Sequence, residues 1–210
     1  MVKIKKIAGV ILSGGKSRRM KGGDKAFIKL GNKTLIETSI ERLDKQVDAL
    51  AVNTNSRDKQ YHSYGLPILN DIKSGYLGPL AGVLTAMKWA EEIGCDNVIT
   101  VAVDTPFFPS NLTDIMKKKM DKYQAEIILA CSFSELEKRF VVHPVFGLWS
   151  ASLAEDLNRS LERGTRKVLD WVVCHRVQYV NFSQKKIDPF FNINQKEDLD
   201  SLSKLRHMEI

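Results

Sequence analysis

The sequence predicts an α/β protein in which a mostly parallel sheet carries helices on both faces. Short aliphatic runs with the length of buried strands alternate along the chain with segments whose apolar residues recur at helical spacing. This alternation is typical of crossover connections between parallel strands. The 210 residues contain no internal repeat, low-complexity segment or linker, so we expect a single domain over residues 1–210.

The first predicted strand covers residues 7–12, an aliphatic run that ends at Ser13, Gly14 and Gly15. A helix is predicted at about residues 35–45, because Thr34 and Glu37 form the pattern of a capping box and apolar residues follow at helical spacing. A second strand is predicted at residues 47–52.

Helices and strands also alternate in the middle of the chain. Gly78 and Pro79 precede a predicted helix that reaches about Glu92, with the proline where a first helical turn tolerates it. Residues 98–103 form the clearest buried strand, which stops at Asp104. Ser110 is predicted to cap the next helix.

The last part of the chain completes the predicted fold. We expect strands at 126–131, 141–149 and 177–182, a loop at 132–139, helices at 153–161 and 165–172, and a final helix that Asn194 caps and that reaches about residue 206.

Composition narrows the classes of function. A net charge of +7 suits anionic ligands such as nucleotides, phosphates or nucleic acid, and does not choose among them. The three cysteines, Cys95, Cys131 and Cys174, form no disulfide or zinc pattern, so we expect a cytoplasmic protein. No apolar run approaches the roughly 20 residues of a membrane span.

Residues 10–25, VILSGGKSRRMKGGDK, place four glycines and five cations directly after the first strand. Glycine amides and fixed positive charges together form a site for phosphate oxygens, so this loop predicts a polyphosphate ligand. The stretch fits neither the P-loop pattern nor the dinucleotide fingerprint. A solvated basic turn is the alternative interpretation.

Asp104 follows the most buried strand, and open α/β sheets bind ligands at the carboxyl ends of their strands. A carboxylate beside a phosphate loop suits Mg²⁺ that bridges to phosphate oxygens, and Asp71 is a second candidate. Each aspartate taken singly is more often a cap or turn former. The chain has no motif for covalent catalysis, and His143 is interpreted as a structural histidine.

Five motifs resemble those of one protein family. Leu12-Ser13-Gly14-Gly15-x-Ser17-x-Arg19-Met20 followed by Lys25 resembles the signature of nucleotidyltransferases with the GT-A fold, a Rossmann-like three-layer domain. Four later motifs resemble those of the molybdenum cofactor guanylyltransferases, namely Gly78-Pro79-Leu80-Ala81-Gly82, Asp104-Thr105-Pro106, His143-Pro144 and Phe191-Asn192-Ile193-Asn194. The resemblance covers residues 7–202.

The resemblance implies that GTP and Mo-molybdopterin react to give the guanine dinucleotide cofactor and pyrophosphate, with Mg²⁺ as cofactor. The pterin's ionised terminal phosphate would attack the α-phosphorus of GTP, so no general base is needed. The implied catalytic residues are Arg19, Lys25 and Asp104, and Asp104 is the metal ligand. The implied nucleotide contacts are Leu12, Ser13, Gly14, Gly15, Lys25, Asn53, Asp71, Gly78, Gly82 and Asp104, and the implied pterin contacts are Arg166, Asn192 and Asn194.

One departure and several alternatives stand beside this resemblance. Lys21 replaces the glycine that usually follows the Arg-Met pair, which puts the local path of the loop in doubt. Related cytidylyltransferases tend to carry alanine where this chain has Gly14, so guanine is favoured over cytosine. Sugar-phosphate nucleotidyltransferases share the first motif and lack the Phe-Asn-x-Asn ending. A non-catalytic basic module that binds RNA or a regulatory nucleotide would need aromatics among residues 13–25, which contain none.

Among partners, we therefore expect the two substrates, no nucleic acid and no membrane, and we expect a monomer. Transient contacts with other proteins of molybdenum cofactor biosynthesis stay open at this point.

Overall fold

A computed structural model of the protein describes residues 5–14, 24–73, 78–134, 137–182, 188–193 and 198. The strands in this part of the chain are β1 Ile7–Leu12, β2 Lys29–Leu30, β3 Lys33–Thr34, β4 Ala49–Asn53, β5 Ile68–Leu69, β6 Asn97–Ala102, β7 Ile127–Ser134, β8 Arg139–Ser150 and β9 Val177–Asn181. The α-helices are α1 Leu35–Asp44, α2 Pro79–Glu92, α3 Leu112–Tyr123, α4 Ala154–Glu162 and α5 Val168–Val172, and short 3-10 helices cover Lys25–Phe27, Lys59–Tyr64 and Ala151–Leu153.

Within the described residues, seven strands form one sheet in the order β5-β4-β1-β6-β8-β7-β9, and β2 and β3 form a separate small hairpin. β1 pairs in parallel with β4 and β6, and β7 pairs in parallel with β9. β8 is antiparallel to both of its neighbours, β6 and β7. The prediction of a mostly parallel sheet is therefore confirmed.

Helices cover both faces of the sheet, because the central strands are apolar on both sides. Ile7 and Ile11 of β1 pack in one core cluster with residues of α1 and α3. Ala8, Val10 and Leu12 pack in the other cluster with residues of α2, α4 and α5. Each fully buried large aliphatic side chain contributes about 1.5–3 kcal/mol to this sandwich.

The chain departs from the sequence prediction where polar residues join the sheet. Residues 132–134 and 139 were predicted as loop, and they instead extend β7 and β8 as an antiparallel ribbon, in which Phe133 pairs with Phe140. The prediction was wrong because the two strands satisfy each other's backbone groups, so their outer ends need no apolar core. The helix predicted at 165–172 begins at Val168.

The start of α3 also differs from the prediction. Asn111, rather than Ser110, is the residue before the helix, and it makes no capping bond with its side chain. The amide of Thr113 donates instead to Oε1 of Gln46 at 3.1 Å. The side chain of Gln46, two residues beyond α1, thus provides the capping bond predicted for Ser110. The final helix predicted at 194–206 lies outside the described residues, apart from residue 198.

In the part of the chain that the structure describes, no helix combines the length and the apolar character needed to cross a membrane.

Candidate active site

The candidate site lies at the carboxyl ends of β1 and β6, which are neighbours at the centre of the sheet. The next sheet strand after β1 is β4, which lies on one side of β1. The strands that follow β6 are β7 and β8, which lie on the opposite side of the sheet, beyond β6. Ligands in open α/β sheets bind where the strand order reverses in this way. Ser13 and Gly14 leave β1 at this point, and Asp104 follows β6.

The first residues after β1 continue its pairing before the chain opens. The amide of Val103 donates to the carbonyl of Leu12 at 3.1 Å, and the amide of Ser13 donates to the carbonyl of Asn53 at 2.8 Å. Among the described residues, leaving aside the chain neighbours of Gly14, no atom lies within 4 Å of the position that a Cβ atom on Gly14 would occupy. Contact of Gly14 with the nucleotide stays a prediction.

Lys25 and Asp104 meet at this edge although 79 positions separate them in the sequence. Nζ of Lys25 lies 2.8 Å from Oδ2 of Asp104, and the two side chains are 14% and 28% exposed. Asp24 begins the short helix that carries Lys25, and its Oδ1 accepts from the amide of Ala26 at 3.1 Å. The structure thus joins two of the predicted catalytic residues in a partly buried ion pair.

The carboxylate of Asp104 is a suitable ligand for Mg²⁺ that is bound together with phosphate. Oδ1 of Asp104 lies 3.4 Å from the hydroxyl oxygen of Thr105. Among the described residues, no cluster of three or more His, Cys, Asp or Glu could enclose a metal ion. Mg²⁺ at nucleotide sites commonly takes one or two carboxylates and completes its shell with phosphate oxygens and water, which this single carboxylate suits.

A second polar group lies at the end of β4. Nδ2 of Asn53 donates to Oδ1 of Asp71 at 3.0 Å and to the carbonyl of Leu69 at 3.1 Å. Nδ2 of Asn55 donates to Oδ2 of Asp71 at 2.7 Å. Each carboxylate oxygen is thereby held by one amide, with capacity left for a ligand. The sequence analysis missed Asn55, although it follows a predicted strand closely.

Gly82 of α2 packs directly against these strand ends. A Cβ atom on Gly82 would lie 2.8 Å from Oδ1 of Asn53 and 3.0 Å from Cδ2 of Leu12. The absence of a side chain lets α2 approach β1 and β4. Gly78 precedes α2 with a φ of 75°, which favours glycine. Contact of either glycine with the nucleotide stays a prediction.

The predicted pterin contacts lie on two sides of the site. Nη1 of Arg166 donates to the carbonyls of Leu161 at 2.8 Å and Thr165 at 2.7 Å, and the Arg166 carbonyl lies 3.4 Å from the Cβ position of Gly78. Oδ1 of Asn192 accepts from the Thr105 hydroxyl.

The backbone ties the Asn192 side of the site to Asp104, since the amide of Ile193 donates to the Asp104 carbonyl at 2.7 Å. Gly15, Arg19 and Asn194 lie outside the described residues.

His143 has the surroundings of a structural histidine. Its Nε2 lies 2.7 Å from Oγ of Ser132, and its ring stacks on Phe190 with 4.3 Å between centroids. Burial lowers the pKa of His143 below its usual value, which favours the neutral ring. The stacking attaches the segment that carries Asn192 to β8.

The sequence analysis also missed Tyr61. Its hydroxyl lies 2.7 Å from Oγ of Ser13 and 2.8 Å from Oδ2 of Asp24, so it contacts the residues that border the predicted phosphate loop. A lone tyrosine in a short 3-10 helix gives no sequence signal for this contact.

Comparison with known proteins identifies the family of the chain. Residues 9–178 match the MobA-like NTP transferase domain. The molybdenum cofactor guanylyltransferase of Mesorhizobium japonicum is 35% identical over 204 residues, which cover 95% of each chain. That of Haemophilus influenzae is 38% identical over 193 residues, which cover 92% of this chain and 95% of the relative.

A solved structure shares the fold. The molybdopterin-guanine dinucleotide biosynthesis protein A from Archaeoglobus fulgidus superposes with a TM-score of 0.75 at 22% identity, and the superposition covers 96% of this chain and 99% of that one. Since the domain match spans most of the chain, and relatives more than one third identical align with nearly all of it, the chain belongs to the MobA-like NTP transferase family of nucleotidyltransferases.

Proposed function

We propose that the protein transfers GMP from GTP to the terminal phosphate of Mo-molybdopterin, which gives Mo-molybdopterin guanine dinucleotide and pyrophosphate. The observation that carries this proposal is the meeting of Lys25 and Asp104 at the carboxyl ends of β1 and β6. The names of the relatives, molybdenum cofactor guanylyltransferases, support the same reaction.

Lys25 would neutralise charge on the triphosphate. Its ammonium group has three N–H donors, so it can keep its bond to Asp104 and still donate to a phosphate oxygen. The departing pyrophosphate gains negative charge as the bond to the α-phosphorus breaks. A cation fixed at this place stabilises that charge more in the transition state than in the bound substrate. Arg19, which precedes Lys25 in the same motif, is proposed to add a second cation.

Asp104 would hold Mg²⁺ together with oxygens of the triphosphate. Bound there, the ion would supply positive charge to the phosphates. The nucleophile is a phosphate that is already ionised, so no side chain has to remove a proton from it. The packed and neutral state of His143 agrees with a reaction that uses no histidine base.

Asp71 supports guanine as the base. Its carboxylate is oriented by Asn53 and Asn55 and presents acceptors only. Guanine carries two neighbouring donors, N1–H and N2–H₂, that match a carboxylate. Cytosine presents acceptors at N3 and O2, which a carboxylate repels. Transfer of CMP is the alternative function, and the contact of Asp71 with the base is part of the proposal.

The decisive experiment supplies GTP, CTP or ATP with Mg²⁺ and Mo-molybdopterin and measures pyrophosphate release. We expect release with GTP that depends on the pterin. Release with CTP in place of GTP would establish the alternative function. No release with any of the three nucleotides would overturn the proposal of nucleotidyl transfer to this acceptor.

A cytoplasmic location and a monomeric state belong to the same proposal. The three cysteines support the location, because none of them forms a disulfide.

A further inference from the structure

We propose that Tyr61 is a positioning residue that holds Lys25 in place against Asp104. This inference rests on the proposed function, because its consequence for the rate assumes that Lys25 acts on the triphosphate. Tyr61 lies in the 3-10 helix Lys59–Tyr64 and is 1% exposed. It is therefore part of the protein interior and is placed to act through its neighbours.

The hydroxyl of Tyr61 links the end of β1 to the helix that carries Lys25. An ionised carboxylate can only accept, so Tyr61 donates its proton to Oδ2 of Asp24 at 2.8 Å. The hydroxyl of Ser13, 2.7 Å away, is then the donor to the Tyr61 oxygen. Ser13 is itself buried at the end of β1. The two hydrogen bonds are thus donated in sequence, from Ser13 to Tyr61 and from Tyr61 to Asp24.

Asp24 passes this restraint to the residues that follow it. Its second oxygen, Oδ1, accepts from the amide of Ala26 and caps the short helix Lys25–Phe27. Each carboxylate oxygen thereby accepts one of these hydrogen bonds, one from Tyr61 and one from the helix. Lys25 lies between Asp24 and Ala26, so the orientation of this cap sets the direction in which the lysine side chain leaves the backbone.

The ring of Tyr61 holds the other end of the same short helix. It packs on the ring of Phe27 with 4.9 Å between centroids at an interplanar angle of 57°. The hydroxyl therefore fixes Asp24, and the ring fixes Phe27, on either side of Lys25. With both ends restrained, the Lys25 side chain reaches Asp104 at 2.8 Å.

Burial also keeps Tyr61 in the state that this role requires. Desolvation is the main cause that raises the pKa of Tyr61 above its usual value, and the neighbouring Asp24 raises it further. The hydroxyl consequently stays protonated at neutral pH and remains a donor to Asp24.

The variant Tyr61→Phe tests this inference, because it removes the hydroxyl and keeps the ring on Phe27. We expect kcat for pyrophosphate release to fall about 10- to 150-fold, the range for a lost hydrogen bond to a charged group. The matched control is Tyr64→Phe, which changes a half-buried tyrosine three residues further along the same 3-10 helix and should leave kcat unchanged.

A double-mutant cycle with Lys25→Ala separates positioning from a general structural role. If Tyr61 acts through Lys25, Tyr61→Phe has little further effect on kcat once Lys25 is alanine. An equal fold-loss in both backgrounds would overturn the inference, as would an unchanged kcat in the single variant. If Tyr61→Phe does not fold, Asp24→Ala breaks the same link and must show the same dependence on Lys25.

A readout without turnover keeps this inference apart from the proposed function. Acetylation of Lys25 by acetic anhydride, followed by mass spectrometry of its peptide, measures the access of reagent to the amine. We expect faster acetylation in Tyr61→Phe than in wild type and in Tyr64→Phe. Equal rates in all three proteins would contradict the inference. Faster acetylation together with an inactive wild type would overturn the proposed function and uphold the restraint on Lys25.

Discussion

At the scale of residues, Asp104 is the carboxylate on which the proposed metal binding depends. Its side chain is partly exposed and belongs to no core cluster, so Asp104→Asn changes a charge and leaves the packing intact. We expect turnover to fall by about 1,000-fold or more, because a metal ion at phosphates contributes several kcal/mol to the transition state. Pyrophosphate release measures the loss, and thermal melting checks that the fold persists.

The matched control for this variant is Asp114→Asn. Asp114 also forms an ion pair with a lysine, at 2.7 Å from Lys118, but it lies on the exposed surface of α3. Its replacement should leave turnover at the wild-type rate. A wild-type rate in Asp104→Asn would exclude the metal role.

A prediction for Lys25 complements the one for Asp104. Lys25→Ala removes the cation that faces Asp104, and we expect the rate of pyrophosphate release to fall by about 10- to 1,000-fold, as for other groups that stabilise developing charge. Lys33→Ala is the control, since Lys33 pairs with Glu41 at 2.6 Å on the exposed surface. If both variants keep the wild-type rate, Lys25 has no part in the reaction.

The sequence predicts the proposed catalytic side chains better than the residues that contact them. Lys25 and Asp104 each follow a recognisable motif, and parallel topology brings the ends of β1 and β6 together. The contacts of Tyr61 with Ser13 and Asp24 join segments 48 and 37 positions apart in the sequence. These contacts result from the packing of the 3-10 helix Lys59–Tyr64, and no periodicity or spacing in the sequence predicts them.

At the scale of elements, the approach of α2 to the strand ends depends on Gly82. In Gly82→Ala the new Cβ would lie 2.8 Å from Oδ1 of Asn53, so the side chain of Asn53 or the helix has to shift. We expect the free energy of unfolding in urea to fall by about 1–3 kcal/mol, as for other overpacked sites. Because alanine has the higher helix propensity, helix formation alone would predict a gain.

Lys88→Ala in the same helix serves as the control, since its side chain is partly exposed. It should change the free energy of unfolding by less than about 0.5 kcal/mol. Stabilisation of Gly82→Ala would show that the space beside Asn53 accommodates a methyl group.

His143, in the ribbon of β7 and β8, leads to a prediction about how stability depends on pH. Burial lowers the pKa of His143 in the folded state, so the unfolded chain binds a proton at this residue more readily. The stability contributed by the neutral ring is complete above the unfolded pKa of about 6.5 and declines as the pH falls below it. In His143→Gln this dependence is absent.

Urea unfolding between about pH 8 and pH 5 measures the effect. The difference in unfolding free energy between wild type and His143→Gln should shrink toward the acidic end. His62→Gln is the control, because His62 is exposed. A difference that stays constant with pH would mean that His143 carries the same charge in the folded and unfolded chain.

Most elements could be predicted from the sequence because they obey simple patterns. The capping box of Thr34 and Glu37 is present, and α1 begins at Leu35 as predicted. The patterns fail where a distant part of the chain supplies the hydrogen-bond partners of an element's backbone. Gln46 supplies the acceptor at the start of α3, and the partner strand supplies the backbone bonds of the polar residues 132–134.

At the scale of the whole molecule, the order of the strands explains the position of the site. Strand β1 lies between β4 and β6, so three strand ends deliver Gly14, Asn53 and Asp104 to neighbouring places on one edge. The sequence predicts parallel strands but does not fix their order. That order brings the start of the predicted phosphate loop at Ser13 and Gly14, the Asn53–Asp71 pair and the proposed metal ligand Asp104 to one edge.

The two halves of the core pack against both faces of the strands that end at this edge. Apolar side chains of α1 and α3 cover one face of the sheet, and those of α2, α4 and α5 cover the other. Ligand binding should consequently act on a preformed edge and stabilise the whole fold.

A crystal structure with GTP and Mg²⁺ tests this arrangement most directly. We expect the triphosphate at the carboxyl ends of β1 and β6, with Lys25 on its oxygens and the metal ion shared between the phosphates and Asp104. Phosphates bound elsewhere, with Asp104 directed away from the ion, would contradict it.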